Sequence, residues 1–433
     1  MERAISRIIG EPRQALGSCS IGGTCLRRRR DAFFTTILGT ILPWALAAQS
    51  LPPIRPLGPI IDRSIPIVRS AAAARELPDG KVLLNDILAH RLYLFDSALV
   101  TSTIVLDSTV GAANSYGDAP GGIIPYRGDS TLFVDPSSIS LLVIDPKGRL
   151  GRVMAGPRLA DIPFLVGGPY GTPGFDLNGR LVYRASNPTP ETTTENEVQA
   201  GVAFVDSAPI VRLNLSSRKT DTIAVFQVPK SNLKFTRTAE GRIRPSVLRS
   251  ALPIVDDWAL LPDGSVAAVR GKDFHLDIVQ ADGSRKSFGK IAFPWRRLSD
   301  DDKHNFVDSV RLATDRTIAK ARASIAARLE GTGVTPPEPI EFEYLPPTEL
   351  PDYFPPFEPN STHADQNGIL WIRTTERFNG QPVYYLVSRR GALLDRVQLP
   401  PGRIIAGFGR DQIIYLAFID PGGGVRLERV RLR

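Results

Sequence analysis

Residues 256–289 read DDWALLPDGSVAAVRGKDFHLDIVQADGSRKSFG and repeat one simple pattern, in which short apolar runs alternate with turns. The runs occupy residues 258–261, 266–269, 275–279 and 285–288. The turns contain Gly and Asp, which supply the positive φ or the side-chain hydrogen bonds that tight turns require. We therefore predict four short antiparallel strands. Because a lone four-stranded sheet cannot bury both faces, we expect similar sheets to pack on either side of it.

Five further stretches show the same alternation of apolar runs and turns. The last stretch offers only three strands, whereas a spare apolar segment, Ile60 to Val68, precedes the first. A ring closed by an N-terminal strand would have this arrangement, because closure removes exposed sheet edges. We predict an all-β, six-bladed β-propeller at residues 60–433, preceded by a Pro-rich lead-in at residues 49–59. The five stretches are Glu76–Phe95, Gly121–Gly156, Gly174–Val228, Ser361–Leu399 and Ile404–Leu432.

Residues 299–359 break the repeating pattern. Ser299 and Asp302 form a capping-box-like pair before apolar residues at helical spacing, and Gly331 ends the stretch. Nine of the 24 residues from Pro336 to Pro359 are proline, which favours an extended strap. We predict one inserted α-helix and a Pro-rich strap. Two roles stay open for them, either a lid or partner arm, or an insertion that only packs on the ring.

The first 48 residues have the composition of an export signal. Arg27 to Arg30 precede the apolar run AFFTTILGTILPWALAA, which ends in small residues. We predict a signal peptide at residues 1–48, cleaved after Ala47 or Ala48, and a secreted or periplasmic protein with no membrane span after cleavage. An uncleaved signal anchor is the alternative. Both cysteines precede the apolar run, so the mature chain would hold neither a disulfide nor a cysteine metal site.

The charge of the chain does not indicate nucleic-acid binding. The formal net charge is +8, but residues 1–47 contain seven arginines against three acidic residues. The remaining residues therefore carry a net charge of only +4, which is unremarkable for so long a segment. We predict no nucleic-acid partner.

Three stretches resemble the repeats of six-bladed β-propellers of the NHL or TolB-like type. They are GDSTLFVDPSSISLLVIDPKGR, then LPDGSVAAVRG with HLDIVQADGSRK, and finally NGILWIRTT with YYLVSRRGALLDRVQLPPG. The chain looks most similar to secreted bacterial propellers, which usually carry no assigned function. The resemblance covers residues 60–433 apart from the helix and strap, and it implies the fold far more than an activity.

Propellers usually bind ligands where the ends of the second strands meet the starts of the innermost strands. In most units, the end of the second strand lies five residues after the turn glycine. The second unit lacks this glycine, so we locate the same position by aligning its apolar runs with those of the other units. A mouth with two arginines would suit a carboxylate, a phosphate or an acidic peptide. The alternative is that these strand ends are polar only because they are exposed to water. The predicted mouth residues are Asn85, Asp135, Arg184 and Arg373, with Asp256, Asp257 and Trp258 entering from an innermost strand.

Enzymatic alternatives find less support in the sequence. Calcium-dependent lactonases of the gluconolactonase and paraoxonase kind also have six blades and bind calcium through Glu, Asn and Asp side chains. Asn85, Asp135 and Asp257 could imitate that set, but no Glu lies at a matching strand end and two arginines would repel a cation. The four histidines are scattered, and the sequence contains neither a Gly-x-Ser-x-Gly elbow nor a phosphate loop.

Taken together, these patterns predict a monomeric binding or scaffold module. Its partner would be a protein or a small anionic ligand, and we expect no cofactor and no catalytic residue. A calcium-dependent hydrolase of the gluconolactonase-like class, with calcium as its cofactor, is the alternative. The sequence does not identify the ligand.

Overall fold

Six β-sheets form the framework of the residues that the computed structural model describes, namely 51–109, 115–186, 205–237, 243–331 and 340–432. The predicted signal peptide lies outside these residues. Two short strands, β1 (Ile54–Pro56) and β2 (Ile60–Arg63), come first and join sheets formed much later in the chain.

The six sheets follow one another along the chain, and each begins with its innermost strand. Sheet 1 contains β3 (Ala73–Glu76), β4 (Val82–Asp86), β5 (Arg91–Phe95) and β6 (Ser102–Leu106). Sheet 2 contains β7 (Gly122–Pro125), β8 (Thr131–Asp135), β9 (Ser140–Ile144) and β10 (Leu150–Ala155). Sheet 3 contains β11 (Gly174–Phe175), β12 (Leu181–Arg184), β13 (Val205–Leu213), β14 (Thr220–Arg237) and β15 (Ile243–Arg249), with β20 (Glu341–Tyr344) at its edge.

The remaining three sheets complete the set. Sheet 4 contains β16 (Asp257–Leu260), β17 (Val266–Arg270), β18 (His275–Val279) and β19 (Arg285–Lys290). Sheet 5 contains β21 (Phe357–Ala364), β22 (Leu370–Phe378), β23 (Gln381–Val387) and β24 (Leu393–Gln398), with β1 at its edge. Sheet 6 contains β25 (Arg403–Phe408), β26 (Ile413–Ile419) and β27 (Val425–Arg431), with β2 at its edge.

Successive sheets pack face to face through apolar residues. Val182 of sheet 3 shares a buried cluster with Val266 of sheet 4, and Trp371 of sheet 5 shares one with Leu416 of sheet 6. The innermost strand of sheet 6, β25, also lies against β3 of sheet 1, so the last sheet meets the first. The chain is a β-propeller. This confirms the predicted fold class.

The closing strand is where the sequence predicts it. β2 pairs antiparallel with β27, with Arg63 opposite Glu428. The Glu428 side chain is fully buried and accepts hydrogen bonds from Arg63 Nε at 2.8 Å and from Arg403 Nε at 2.9 Å. These two ion pairs therefore tie β2 to the C-terminal strands β25 and β27 and help to hold the ring closed. The Pro-rich lead-in contributes β1, which pairs parallel with β24 at an outer edge, where proline is tolerated.

The inserted helix, α1, spans Asp300–Leu329, as predicted. Ser299 caps it, because the Ser299 Oγ accepts from the N–H of Asp302 and the Asp302 carboxylate accepts from the N–H of Ser299. Near its start, Val307 packs into a small apolar cluster with residues on both flanks of the insertion, including Leu350 of the strap. The helix is thereby attached to the propeller through its first turns.

The strap is more regular than the sequence predicts. We expected an extended segment without regular structure, but Glu341–Tyr344 form β20, which pairs parallel with β15. A short 3-10 helix follows at Pro347–Glu349. The four residues of β20 contain no proline, so each of them has a backbone N–H group that a strand ladder can use. None of the helices in the described residues is long and apolar enough to cross a membrane.

Candidate functional site

The turn glycines locate the second strands as expected. Gly80, Gly179, Gly264 and Gly368 all have positive φ, between 68° and 83°, in the turns that lead into β4, β12, β17 and β22. Counting five residues from them reaches equivalent positions near the end of each second strand. Those positions are occupied by Asn85, Arg184, Val269 and Arg373.

Asp135 is one residue beyond the equivalent position in sheet 2. Val134 pairs with Gly122, the first residue of β7, just as Asn85 pairs with the first residue of β3. The turn before β8 has Asp129 with a φ of 60° in the place of the glycine, and counting from Asp129 gives Val134. The prediction of Asp135 from the alignment of apolar runs was therefore wrong by one residue, and Val134 occupies the equivalent position. Asp135 instead accepts a hydrogen bond from the N–H of Ser137 at 3.1 Å within its own loop.

Asn85 connects sheet 1 to sheet 2. It is 1% exposed, its Nδ2 donates to the carbonyl of Gly121 at 2.8 Å, and its Oδ1 accepts from the hydroxyl of Tyr116 at 3.0 Å. The Tyr116 oxygen in turn accepts from the N–H of Gly121 at 2.9 Å. Both polar ends of the amide are thus engaged within the protein, and Asn85 aligns neighbouring sheets.

Asp256 belongs to an open polar cavity of about 680 Å³ at the rim of sheet 4. Its Oδ2 accepts from Arg270 Nη1 at 2.7 Å, and the same arginine donates through Nε to Asp277 at 2.8 Å. A third carboxylate, Asp273, lies 2.5 Å from Nδ1 of His275. The carboxylates of this rim cavity therefore face cationic or histidine partners within the cavity.

Arg373 and Arg184 face different neighbouring sheets. Residues alternate in direction along a strand, so Arg373 shares a face of β22 with Trp371, which packs on sheet 6. Arg184 shares a face of β12 with Val182, which packs on sheet 4. Arg373 also has a carboxylate partner, because its Nη2 donates to Glu358 at 2.8 Å. Arg184 and Arg373 therefore contact different residues and do not form the joint anion site that the sequence predicts.

Arg184 stands out because it has no hydrogen-bond acceptor among the described residues. Its Nε is buried without a partner, and its guanidinium lies over the rings of Phe164 and Tyr170, at 5.4 and 5.2 Å from their centroids. Burial lowers the pKa of Arg184, while the nearby Tyr170 and Asp257 act in the opposite direction. The result is a half-buried cation whose Nε donor has no acceptor in the described part of the chain.

Asp257 and Trp258 lie beside Arg184 at the start of β16. One Asp257 oxygen, Oδ2, accepts from the N–H groups of Ser361 and Thr362 at 2.6 and 2.8 Å, and thereby links sheet 4 to sheet 5. Burial raises the pKa of Asp257 to about 6, although hydrogen bonds from the backbone of Trp258, Ser361 and Thr362 oppose this effect. The hydroxyl of Ser361 is buried and has no partner among the described residues.

The segment between sheets 2 and 3 completes the site, and sequence reasoning missed it. It contains 3-10 helices at Leu159–Leu165 and Gly168–Tyr170. Its Phe164 and Tyr170 rings lie 4.5 Å apart and hold Arg184, and the carbonyl of Tyr170 accepts from Trp258 Nε1 at 3.0 Å. Aromatic residues beside the glycine-rich stretch VGGPYG were the signal that could have identified it. We call Phe164, Tyr170, Arg184, Asp257 and Trp258 the Arg184 site.

The predicted calcium set does not fit these contacts. Calcium needs about six to eight oxygen ligands, but the oxygens of Asn85, Asp135 and Asp257 already accept hydrogen bonds from the protein. Asp257 also lies near a guanidinium that would repel a cation. Among the described residues, no three His, Cys, Asp or Glu side chains are grouped so that they could hold a metal ion.

Known proteins resemble the chain only weakly. No protein-family model and no curated protein matches the sequence. A gluconolactonase from Xanthomonas campestris aligns with 87% of this chain and 99% of its own, at 11% identity and a TM-score of 0.41. A calcium-binding regucalcin from Agrobacterium tumefaciens aligns with 88% of this chain and 98% of its own, at 11% identity and a TM-score of 0.40. A virginiamycin B lyase from Staphylococcus aureus aligns with 84% and 85%, at 10% identity and a TM-score of 0.34.

Similarities of this size assign no activity to the chain. The NHL or TolB-like repeat type also stays a prediction.

Proposed function

We propose that this chain is an exported, monomeric β-propeller that binds an anionic ligand at the Arg184 site. The observation that carries the proposal is the half-buried guanidinium of Arg184, whose buried Nε has no acceptor among the described residues. A buried donor without a partner costs free energy, so such groups in native proteins usually serve a ligand or hold a water molecule. A carboxylate or phosphate matches the planar, forked donors of arginine.

A second unused polar group supports the same location. The buried Ser361 hydroxyl lacks a partner among the described residues, and the N–H of the same residue donates to Asp257. Asp257, which accepts this N–H, also acts electrostatically on Arg184, so Ser361 belongs to the same neighbourhood. The ligand class is therefore a carboxylate, a phosphate or an acidic peptide, in line with the sequence analysis.

The calcium-dependent hydrolase is the weaker alternative. Its calcium ligands would have to come from Asn85, Asp135 and Asp257, whose oxygens are engaged in hydrogen bonds. Elemental analysis of the purified protein separates the two proposals. One equivalent of calcium that survives dialysis would favour the hydrolase, whereas its loss on dialysis would favour the anion-binding module.

Isothermal titration with citrate, inorganic phosphate and a hexaglutamate peptide tests the anion-binding proposal. We expect at least one probe to bind, and Arg184→Gln to weaken that binding by about tenfold or more, because a charge-assisted contact contributes about 1.5 to 3 kcal/mol. Arg149→Gln is the matched control, since Arg149 lies on an exposed turn and pairs with Asp145. Failure of every probe to bind the unmodified protein at millimolar concentration, or equal affinity of Arg184→Gln, would refute the proposal.

A further inference from the structure

The segment from Val166 to Gly171 crosses the end of the ring at which Arg184 lies. Val166 lies against Gly122 of β7, where a Cβ added to the glycine would come within 2.6 Å of the Val166 Cα. The next residues, Gly168–Tyr170, contact β21 of sheet 5. Sheets 2 and 5 are three positions apart in a ring of six sheets. A segment that touches both must pass over the centre of the ring.

The two halves of the connection between sheets 2 and 3 are held very differently. In the first half, Asp161 is 2% exposed and accepts from the N–H of Ser186 at 2.9 Å and from the Tyr183 hydroxyl at 3.1 Å, while Leu165 is fully buried. In the second half, Val166 packs only partly buried against the same cluster, and Tyr170 is half-buried. The first half is thus a fixed base, and we call the second half, Val166 to Gly171, the flap.

The flap is bounded by glycines in conformations that other residues avoid. Gly167 has φ 87° and ψ −138°, and Gly171 has φ 89° and ψ −173°. Both lie in regions of backbone space that only glycine enters without strain. Glycines at both ends of a short segment allow it to rotate as a unit, which is a common property of hinged loops.

The side chain of Trp258 fastens the flap to sheet 4. Trp258 Nε1 donates to the carbonyl of Tyr170 at 3.0 Å, and the same indole packs against Gly171. A Cβ at Gly171 would come within 2.3 Å of Trp258 Nε1, so the closed position requires glycine there. The Tyr170 ring meanwhile stacks on the Arg184 guanidinium, with its centroid 5.2 Å from the guanidinium carbon.

We propose that Val166–Gly171 is a lid over Arg184, latched by the hydrogen bond from Trp258 to Tyr170, and that it opens to admit the anionic ligand. This inference rests on the proposed function of the Arg184 site. In the closed state, Tyr170 and Phe164 cover the guanidinium from which the ligand would accept hydrogen bonds. Release of Tyr170 exposes these donors, and the base at residues 159–165 keeps Phe164 in place.

Labelling of Arg184 by phenylglyoxal, read by peptide mass spectrometry without any ligand, tests the lid directly. In the unmodified protein, Arg184 should react more slowly than Arg149, whose side chain is 73% exposed. Trp258→Phe removes the latch hydrogen bond and should accelerate labelling of Arg184 by about fivefold, the factor that an ordinary hydrogen bond contributes. Gly171→Ala should accelerate it at least as much, because the added Cβ pushes the lid away from Trp258.

Gly128→Ala is the matched control for backbone strain. It also introduces a Cβ at a positive φ, 60°, but into open space and outside the lid. Arg212 reports on unfolding, since it is 3% exposed and should resist labelling in every folded variant. If Arg212 reacts in Gly171→Ala, that variant has lost the fold. The labelling rate of Arg184 in Trp258→Phe then decides whether the lid exists. If Arg184 is labelled at the same rate in the unmodified protein and in the folded lid variants, the proposal of a lid is refuted.

Stopped-flow binding of the probe that binds in the titrations then tests gating. Trp258→Phe should bind it about fivefold faster, and an unchanged association rate would show that the lid does not control access. If no probe binds the unmodified protein, the anion-binding function fails, while the labelling result still decides whether the lid exists. The two failures are thereby distinguishable.

Discussion

Replacement of Asp257 by Asn should change how the stability of the protein depends on pH. Burial raises the pKa of this carboxyl from an ordinary value of 3.8 to about 6. Because each tenfold change in proton affinity corresponds to about 1.4 kcal/mol, ionisation of Asp257 costs the folded state about 3 kcal/mol relative to the unfolded state. The variant keeps the shape of the side chain and removes this charge.

The direction of this pH dependence follows from the order in which the folded and unfolded states lose the Asp257 proton. Below about pH 4 both states hold it, and Asp257 adds no dependence on pH. Between about pH 4 and 6 the unfolded chain ionises first, so the free energy of unfolding falls as pH rises. Above about pH 6 both states are ionised and the loss is complete. The stability of Asp257→Asn minus that of the unmodified protein should therefore increase by about 3 kcal/mol across this window.

Urea unfolding of both proteins at matched pH values between 4 and 7 measures this difference, because other titrating groups cancel. Asp308→Asn, at a position of α1 where the side chain is 67% exposed, is the matched control. A constant difference for Asp257→Asn, or one that falls with rising pH, would refute the reasoning. It would mean that the three backbone N–H groups stabilise the charge more than burial disfavours it.

Three other predictions concern closure, the helix and export. Glu428→Ala should lower the free energy of unfolding by about 3 to 5 kcal/mol, because it leaves the partly buried Arg403 without its carboxylate; a loss below 1 kcal/mol in urea unfolding would contradict this. Ser299→Ala should cost about 1 kcal/mol by the same assay, as loss of an N-cap does, and an unchanged stability would argue against the cap. Exported protein should begin at Ala48 or Gln49 by N-terminal sequencing, whereas an intact Met1 on a membrane-bound form would contradict cleavage.

The fold could be predicted because its signals are local. Gly264 and Gly368 mark tight turns, and the β-branched and apolar runs around them have the length of strands. The signal failed where another residue took the role of glycine. Asp129 adopts a φ of 60°, which its short polar side chain tolerates, and the position of Asp135 was therefore misjudged by one residue.

The Arg184 site was predicted only in part, because its remaining members come from irregular backbone. Strand ends identify Arg184, Asp257 and Trp258. Tyr170 reaches them from a connection without hydrophobic periodicity, so no pattern in the sequence indicates its direction. The strand β20 escaped prediction for a related reason, since its partner β15 lies about a hundred residues earlier and a parallel pair leaves no hairpin signal.

Pairing of β2 with β27 also sets an order in which the chain can fold. Arg63 and Glu428 are 365 residues apart, and contacts across so long a separation form late because the loop between them must first be closed. Until then, sheet 6 lacks its outer strand and presents an edge that another chain could occupy. In a chain that is synthesised from its N-terminus, β2 is made first but stays unpaired while the five other sheets form. The period before β27 arrives is therefore when this protein is most exposed to aggregation or strand exchange.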